Sequence, residues 1–225
     1  ARHRKSNIIA KKLENQPSDI DYIIIIKGDN FDERHVRQLK EKYHNTPTLL
    51  YLWDSLIRLE NRELLLSSFD NIATFDRVDS VTYNLKFRPL FGRSINHVKL
   101  QKYDYCLSFV GGDHSIRYNI IHKIKQELND KSLTYKFILS TGKFKLFVNR
   151  YIKGVISKND IDIFSTRHIP YSEYLDISRR SNVILDIAHP LQSGLTMRTI
   201  ETLCMGKKIL TTNKDIENYG FPSSL

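Results

Sequence analysis

Hydrophobic positions along this chain come in short unbroken runs, and each run gives way to a stretch with helical spacing. The first run is Tyr22-Ile-Ile-Ile-Ile-Lys-Gly28, after which Val36, Leu39 and Tyr43 recur on one face of a charged segment. Thr48 to Asp54 and Asn71 to Asp76 follow, both ending on an acidic residue. From Tyr83 to Lys102 the pattern lapses around Pro89 and Gly92. A second series opens with Cys106 to Gly112, followed by a helical stripe of Ile116, Ile120, Ile121, Ile124 and Leu128. It continues through Tyr135 to Ser140, Ile161 to Ser165, Asn182 to Ala188 and Lys208 to Thr212. Runs without polar alternation mark strands covered on both faces, the habit of parallel sheets flanked by helices.

The pattern predicts an α/β protein of two Rossmann-like parallel-sheet halves. The boundaries are 1–92 for the first half, 93–102 for a linker and 103–225 for the second half. The first half is expected to lack its opening strand and helix. The chain begins Ala1-Arg-His-Arg-Lys5 without an initiator methionine, so its true N-terminus is expected upstream.

Composition narrows the partners. In 225 residues, 35 Lys and Arg against 25 Asp and Glu leave a net charge of +10. That favours an anionic partner: nucleic acid, a membrane face or a phosphorylated small molecule. Hydrophobic and charged fractions of 40% and 27% are those of a folded globular chain and exclude disorder. No apolar run approaches the ~20 residues of a membrane span. Cys106 and Cys204 stand apart with no CxxC pair, so they read as buried, reduced thiols.

In an open parallel sheet, ligands bind beyond the carboxyl ends of the strands. The residues to read are therefore Gly111 to Arg117, Thr166 to Tyr171, Asp186 to Leu195 and Thr211 to Asn213. Gly111 and Gly112 close a strand and precede a helix, where backbone N–H groups approach a phosphate without a Cβ in the way, with Arg117 adding charge. A tight turn with Ser115 as N-cap is the alternative. Ser193 and Gly194 are expected to open a helix and aim unpaired N–H groups at a ligand. Arg198 and Glu201 lie on one face of it, suited to a diphosphate and to ribose hydroxyls. An intrahelical Arg–Glu pair is the alternative. Asp54, with Asp76 behind it, is the candidate general base, or else a helix cap. His189 and His168 stand at strand ends facing the same crevice. Asp19-Ile-Asp21 and Asp160-Ile-Asp162 precede strands, at the edge away from ligands. The stretch from Lys143 to Lys153 sets aromatics among cations, which fits single-stranded nucleic acid, an anionic membrane surface or a solvated amphipathic helix.

At this point the sequence resembles the bacterial glycosyltransferases of GT-B architecture, in the group of CgeB-like proteins and the transferases of lipopolysaccharide and capsule biosynthesis. The marks are Tyr51-Leu-Trp-Asp-Ser55, Phe69-Asp70, Phe75-Asp-Arg-Val-Asp79, Pro89-Leu-Phe91, Ser108-Phe-Val-Gly-Gly112, His114-Ser-Ile-Arg117 and Ser193-Gly-Leu-Thr-Met-Arg-Thr-Ile-Glu201 before Gly206. The resemblance implies a nucleotide-sugar in the cleft between the halves. Glu201 then holds the ribose, the Ser193 and Gly194 amides with Arg198 meet the diphosphate, and the Gly111-Gly112 loop approaches it from the other side. His189 touches donor phosphate or sugar. The implied acceptor is a surface polysaccharide, lipopolysaccharide or lipid-linked glycan. No cofactor and no metal are expected, nor a nucleic-acid partner. The implied location is the cytoplasm, with peripheral contact at an anionic membrane. Retaining members carry two glutamates eight positions apart; here the earlier position is Ser193, which leaves the stereochemical outcome open. The competing readings are a non-catalytic nucleotide-sugar-binding module and a basic nucleic-acid-binding protein.

Overall fold

The computed structural model describes residues 2–17, 19–92 and 102–221. The chain forms two compact units, Ala1–Leu90 with Leu191–Leu195, and Phe91–Pro190 with Thr196–Leu225. Apart from Lys102, the linker expected at 93–102 lies outside the described residues.

The first unit carries helix α1 (Arg2–Glu14), then β1 (Ile23–Ile26), α2 (Glu33–Lys42), β2 (Thr48–Leu52), α3 (Arg62–Ser68), β3 (Asn71–Thr74), α4 (Arg77–Thr82) and β4 (Lys86–Phe87). The four strands are parallel and lie in sequence order, with Ile23 beside Thr48, Leu49 beside Asn71 and Ala73 beside Lys86. Local chemistry fixes the boundaries. Asp32 and His35 form a reciprocal capping box at the start of α2. Beyond β1 the chain turns through Lys27 and Gly28, both at positive φ. The Asp70 carboxylate accepts from the Thr48 amide and hydroxyl, both at 2.8 Å, which pins the register of β3 against β2. Ile25, Leu39, Leu50, Leu52, Leu56 and Leu65 make the core. Strand β4 was not expected: two residues inside the lapse of pattern are too few to show a period.

The second unit carries β5 (Tyr105–Gly112), α5 (Arg117–Asp130), β6 (Tyr135–Ser140), α6 (Lys143–Phe147), β7 (Phe164–Ser165), α7 (Tyr171–Arg179), β8 (Ser181–Asp186), α8 (Met197–Cys204) and β9 (Lys208–Thr211). Its parallel sheet has the order β7-β6-β5-β8-β9. Phe109, Ile121, Phe137, Leu139 and Leu185 fill the larger core, while Val110, Ile138 and Ile177 pack in a separate cluster. Val110 and Ile138 alternate with their strand neighbours, so β5 and β6 are buried on both faces, as the unbroken runs predicted. The run expected as a strand from Ile161 is instead the end of a 3-10 turn over Lys158–Ile163, with only Phe164–Ser165 paired. Both cysteines are free and half-buried. Among the described residues no helix is long and apolar enough to cross a membrane.

Candidate functional site

In the second unit the strand order reverses between β5 and β8, the topological switch point where α/β sheets receive ligands. Pairing of these strands runs from Tyr105 beside Ser181 to Ser108 beside Ile184, and beyond it the ends diverge. Divergence leaves carbonyls without ladder donors, and two arginines supply them. Arg117 donates to Ile187 O at 3.1 and 3.2 Å and to Gly112 O at 3.0 Å. Arg198 donates through Nη2 to Val110 O at 2.6 Å and through Nη1 to Asp186 at 3.3 Å. Both guanidinium groups lie over the buried Phe109 ring, at 5.4 and 4.5 Å from its centre. Arg198 keeps a buried Nε–H without a hydrogen-bond partner among the described residues.

Gly111 is needed for this arrangement. A Cβ there would sit 2.7 Å from Nη2 of Arg198 and 3.0 Å from the Phe109 ring. The turn after β5 differs from the capped one considered above: Ser115 takes φ +54, and the residue preceding α5 is Ile116, without a side-chain cap. The His114 and His189 rings face each other across this rim, 6.1 Å apart. His168 is exposed beyond β7.

Helix α8 starts at Met197, with Thr196 as N-cap accepting from the Thr199 amide. Ser193 and Gly194 therefore do not open it. The positive end of α8 is met by Asp186, fully buried, whose carboxylate accepts from Thr196 at 2.9 Å, Thr199 at 2.7 Å and Thr211 at 3.1 Å. Asp186 thus anchors β8, β9 and α8 together. Glu201, one turn on, accepts from the Tyr171 hydroxyl at 3.0 Å rather than pairing with Arg198. Burial, with the charge of Glu201 second, drives the neighbouring Tyr174 phenol far above its ordinary range.

Ser193 and Gly194 belong to the first unit, where Asp76 gathers them. The Ser193 amide at 3.0 Å, the Gly194 amide at 3.2 Å and the Ser193 hydroxyl all donate to Asp76. So do the Ser55 hydroxyl and the Val78 and Asp79 amides that open α4. The N–H groups expected to meet a diphosphate are already spent on a carboxylate. Gly194 is required here by close packing, since a Cβ would lie 2.6 Å from the Phe75 ring and 2.7 Å from its carbonyl oxygen. Burial works against ionising Asp76, but the bonds from Ser193, Ser55 and Gly194 outweigh it and hold its pKa below the usual carboxylate value.

Asp79 sits beside it under the opposite balance. Burial, the largest effect, and the charge of Asp76 push its pKa up to about 6 despite a 2.6 Å bond from the Leu56 amide. A carboxylate raised from 3.8 to about 6 contributes stability that is complete below pH 3.8 and lost as pH rises through 6. Asp79→Asn keeps an acceptor for Leu56 and removes the titration. Urea unfolding should find it more stable than wild type by on the order of 1–2 kcal/mol at pH 7.5, the gap narrowing by pH 4.5 and closing below pH 3.8. A gap unchanged across that range would contradict the assignment.

Asp54 stands at the end of β2 with one oxygen 2.8 Å from Arg58 and the other 2.9 Å from Lys27. It caps no helix, because Ser55 precedes the short turn at Leu56–Arg58. Arg58 also donates to Gln192 at 3.2 Å. The hydrogen bond from Lys27 to Asp54 is the main reason its ammonium pKa lies above the ordinary value. Asp160, at the entrance to β7, is absorbed by Tyr118, His122 and Lys125. Among the described residues no group of three His, Cys, Asp or Glu side chains is set to hold a metal ion. Sequence reasoning missed the hub at Asp76 and the Tyr171 partner of Glu201. A strand-end aspartate before a helix signals a cap, but its contacts 117 positions away carry no local mark.

Two Rossmann-like units with parallel sheets of four and five strands define a GT-B-type α/β fold. A solved structure with the same fold is an alpha-glucosyltransferase in complex with UDP and a 13-mer DNA containing a central A:G mismatch. It aligns at a TM-score of 0.65 and 15% identity over 95% of this chain. The chain spans 65% of that structure's length. No family model and no curated protein matches the sequence.

Proposed function

We propose that the protein is a glycosyltransferase that takes a sugar from a nucleotide-sugar donor. The observation carrying this reading is the switch point of the second unit, where Arg117 and Arg198 bring two guanidinium charges to the diverging ends of β5 and β8. A leaving diphosphate needs fixed positive charge, which arginines in a partly buried site supply without a metal. In this reading the backbone of Gly111 and Gly112 approaches the diphosphate, Arg117 and Arg198 neutralise it and Glu201 accepts the ribose hydroxyls. His189 borders the sugar. Asp54 is the candidate base, once Lys27 and Arg58 give up one of its oxygens. The GT-B fold and the UDP held by the structural neighbour support the donor class.

The acceptor we favour is a glycan or lipid-linked glycan of the cell envelope. A nucleic-acid acceptor is the second reading, favoured by the DNA of the neighbour and the net charge of +10. Calorimetry with UDP, GDP, CMP and single-stranded RNA separates the two, and mass spectrometry of products from a panel of nucleotide-sugars names the donor. Tight RNA binding with no response to any nucleotide would sink the donor reading. Glu201→Ala should weaken nucleotide binding by about 1–3 kcal/mol while leaving the melting temperature unchanged. Loss of fold without a separable binding defect would assign Glu201 to structure instead.

A further inference from the structure

We propose that the segment Lys143 to Lys158 is a docking surface for an anionic lipid membrane. Helix α6 runs into a wider turn over Val148–Ile152, and the two present their apolar side chains outward. Phe144 is 81% exposed, Phe147 54%, Tyr151 68%, Ile152 70% and Val155 56%. Five large apolar side chains exposed within twelve residues, with the Phe147 and Tyr151 rings in contact, make an apolar concentration of the kind surfaces avoid unless a partner covers it.

Charge says which partner. Between Lys143 and Asn159 there is no acidic residue, against Lys143, Lys145, Arg150, Lys153 and Lys158. Lys145 is occupied by Asp113 at 2.8 Å, and Arg150 reaches Ser157 O. Lys143, Lys153 and Lys158 have no carboxylate partner among the described residues. Exposed apolar side chains interspersed with lysines match an anionic interface, where acyl chains take the rings and headgroups take the ammonium groups. Nucleic acid fits less well. Exposed Ile152 and Val155 offer nothing to a base, and the Phe147 and Tyr151 rings lie against each other at 5.2 Å and 41° instead of presenting separate platforms.

The patch follows the carboxyl end of β6, and the Lys145–Asp113 pair ties it to the loop that follows Gly112. A membrane held there lies beside the β5 loop, which suits an acceptor delivered on a lipid. That last consequence rests on the glycosyltransferase reading; the docking surface does not.

Flotation of the full chain with vesicles of phosphatidylcholine, with and without 30 mol% phosphatidylglycerol (about that fraction suffices to set a negative surface potential), tests it. Binding is expected only with phosphatidylglycerol. It should fall about fivefold for each of Lys143→Glu and Lys153→Glu. Phe144→Ser with Ile152→Ser should lower it by about tenfold or more, with thermal unfolding and UDP calorimetry unchanged. Quenching of the introduced tryptophan in Phe147→Trp by brominated acyl chains, in excess of that of the native Trp53 in wild type, reports insertion in a protein whose patch is otherwise intact. The proposal is overturned if anionic vesicles are not bound, or if binding ignores the apolar substitutions, which would be the general attraction of a basic protein. It is equally overturned if the substitutions abolish binding to oligo-dT or a dimer seen by ultracentrifugation and leave vesicle binding unaltered. Failure of vesicle binding beside normal UDP binding would spare the donor reading.

Discussion

Asp76→Ala is expected to cost the protein on the order of 3–5 kcal/mol, more than any other single polar substitution in the first unit. Asp76 is 1% exposed and accepts from the Ser55 and Ser193 hydroxyls and from the amides of Ser193, Gly194, Val78 and Asp79. Each donor left without an acceptor in a buried place costs about 1–3 kcal/mol. Hydroxyls can rotate to other acceptors and the first amides of α4 can recruit water, so the six costs do not simply add. Removing the neighbour's charge also relieves Asp79, which offsets part of the loss. Ser193→Ala, which removes one donor and orphans nothing, should cost about 1 kcal/mol. Denaturant unfolding measures both, and amide exchange gives the local reading. The Ser193 and Gly194 amides should exchange much faster in Asp76→Ala, because their shared acceptor is gone. A variant within 1 kcal/mol of wild type with both amides still protected would refute the hub.

The same carboxylate shows where sequence reading stops. Strands β2, β3, β5, β6, β8 and β9 were legible within a residue or two, because each is written as a short apolar run bounded by turn residues, unbroken where the strand is buried on both faces, as in β5 and β6. Strands β4 and β7, of two residues each, carry no such signal, and the run at Ile161 was misread because a 3-10 turn also buries Ile163. Helix stripes were legible where they face the core at Ile121 and Leu128, but not at Ile116, 43% exposed at the mouth of the turn. For the site, the strand ends could be located from order alone. What each polar group does there could not. Arg198 and Glu201 read as ligand contacts, with an intrahelical pair as the alternative; that pair loses to tertiary partners, a strand carbonyl for the arginine and a tyrosine hydroxyl for the glutamate. Ser193 and Gly194 read as helix-opening amides, yet Thr196 is a better cap, with its hydroxyl accepting from Thr199, and the preceding residues were left to Asp76.

Arg198→Ala should then damage the second unit and, on the proposed glycosyltransferase reading, nucleotide binding by different routes, and the two can be separated. Structurally, the change strips a charged donor from Val110 O and from the fully buried Asp186, a loss of about 2–4 kcal/mol. Three threonine hydroxyls still hold Asp186, which keeps the cost from rising further. Arg198→Lys should recover little, because one ammonium cannot span Val110 O and Asp186 as the fork does. In binding, loss of the guanidinium beside the β5 turn should weaken UDP by about 10- to 100-fold by calorimetry, equivalent to about 1.4–2.7 kcal/mol. Gly111→Ala supplies the control that keeps the arginine. Its added methyl, 2.7 Å from Nη2, forces the guanidinium off Val110 O without removing its charge. If position matters, Gly111→Ala binds UDP nearly as poorly as Arg198→Ala; if only net charge matters, it binds like wild type. Wild-type affinity in both variants would remove this rim from the donor site, because the two substitutions share nothing but the place where that guanidinium sits.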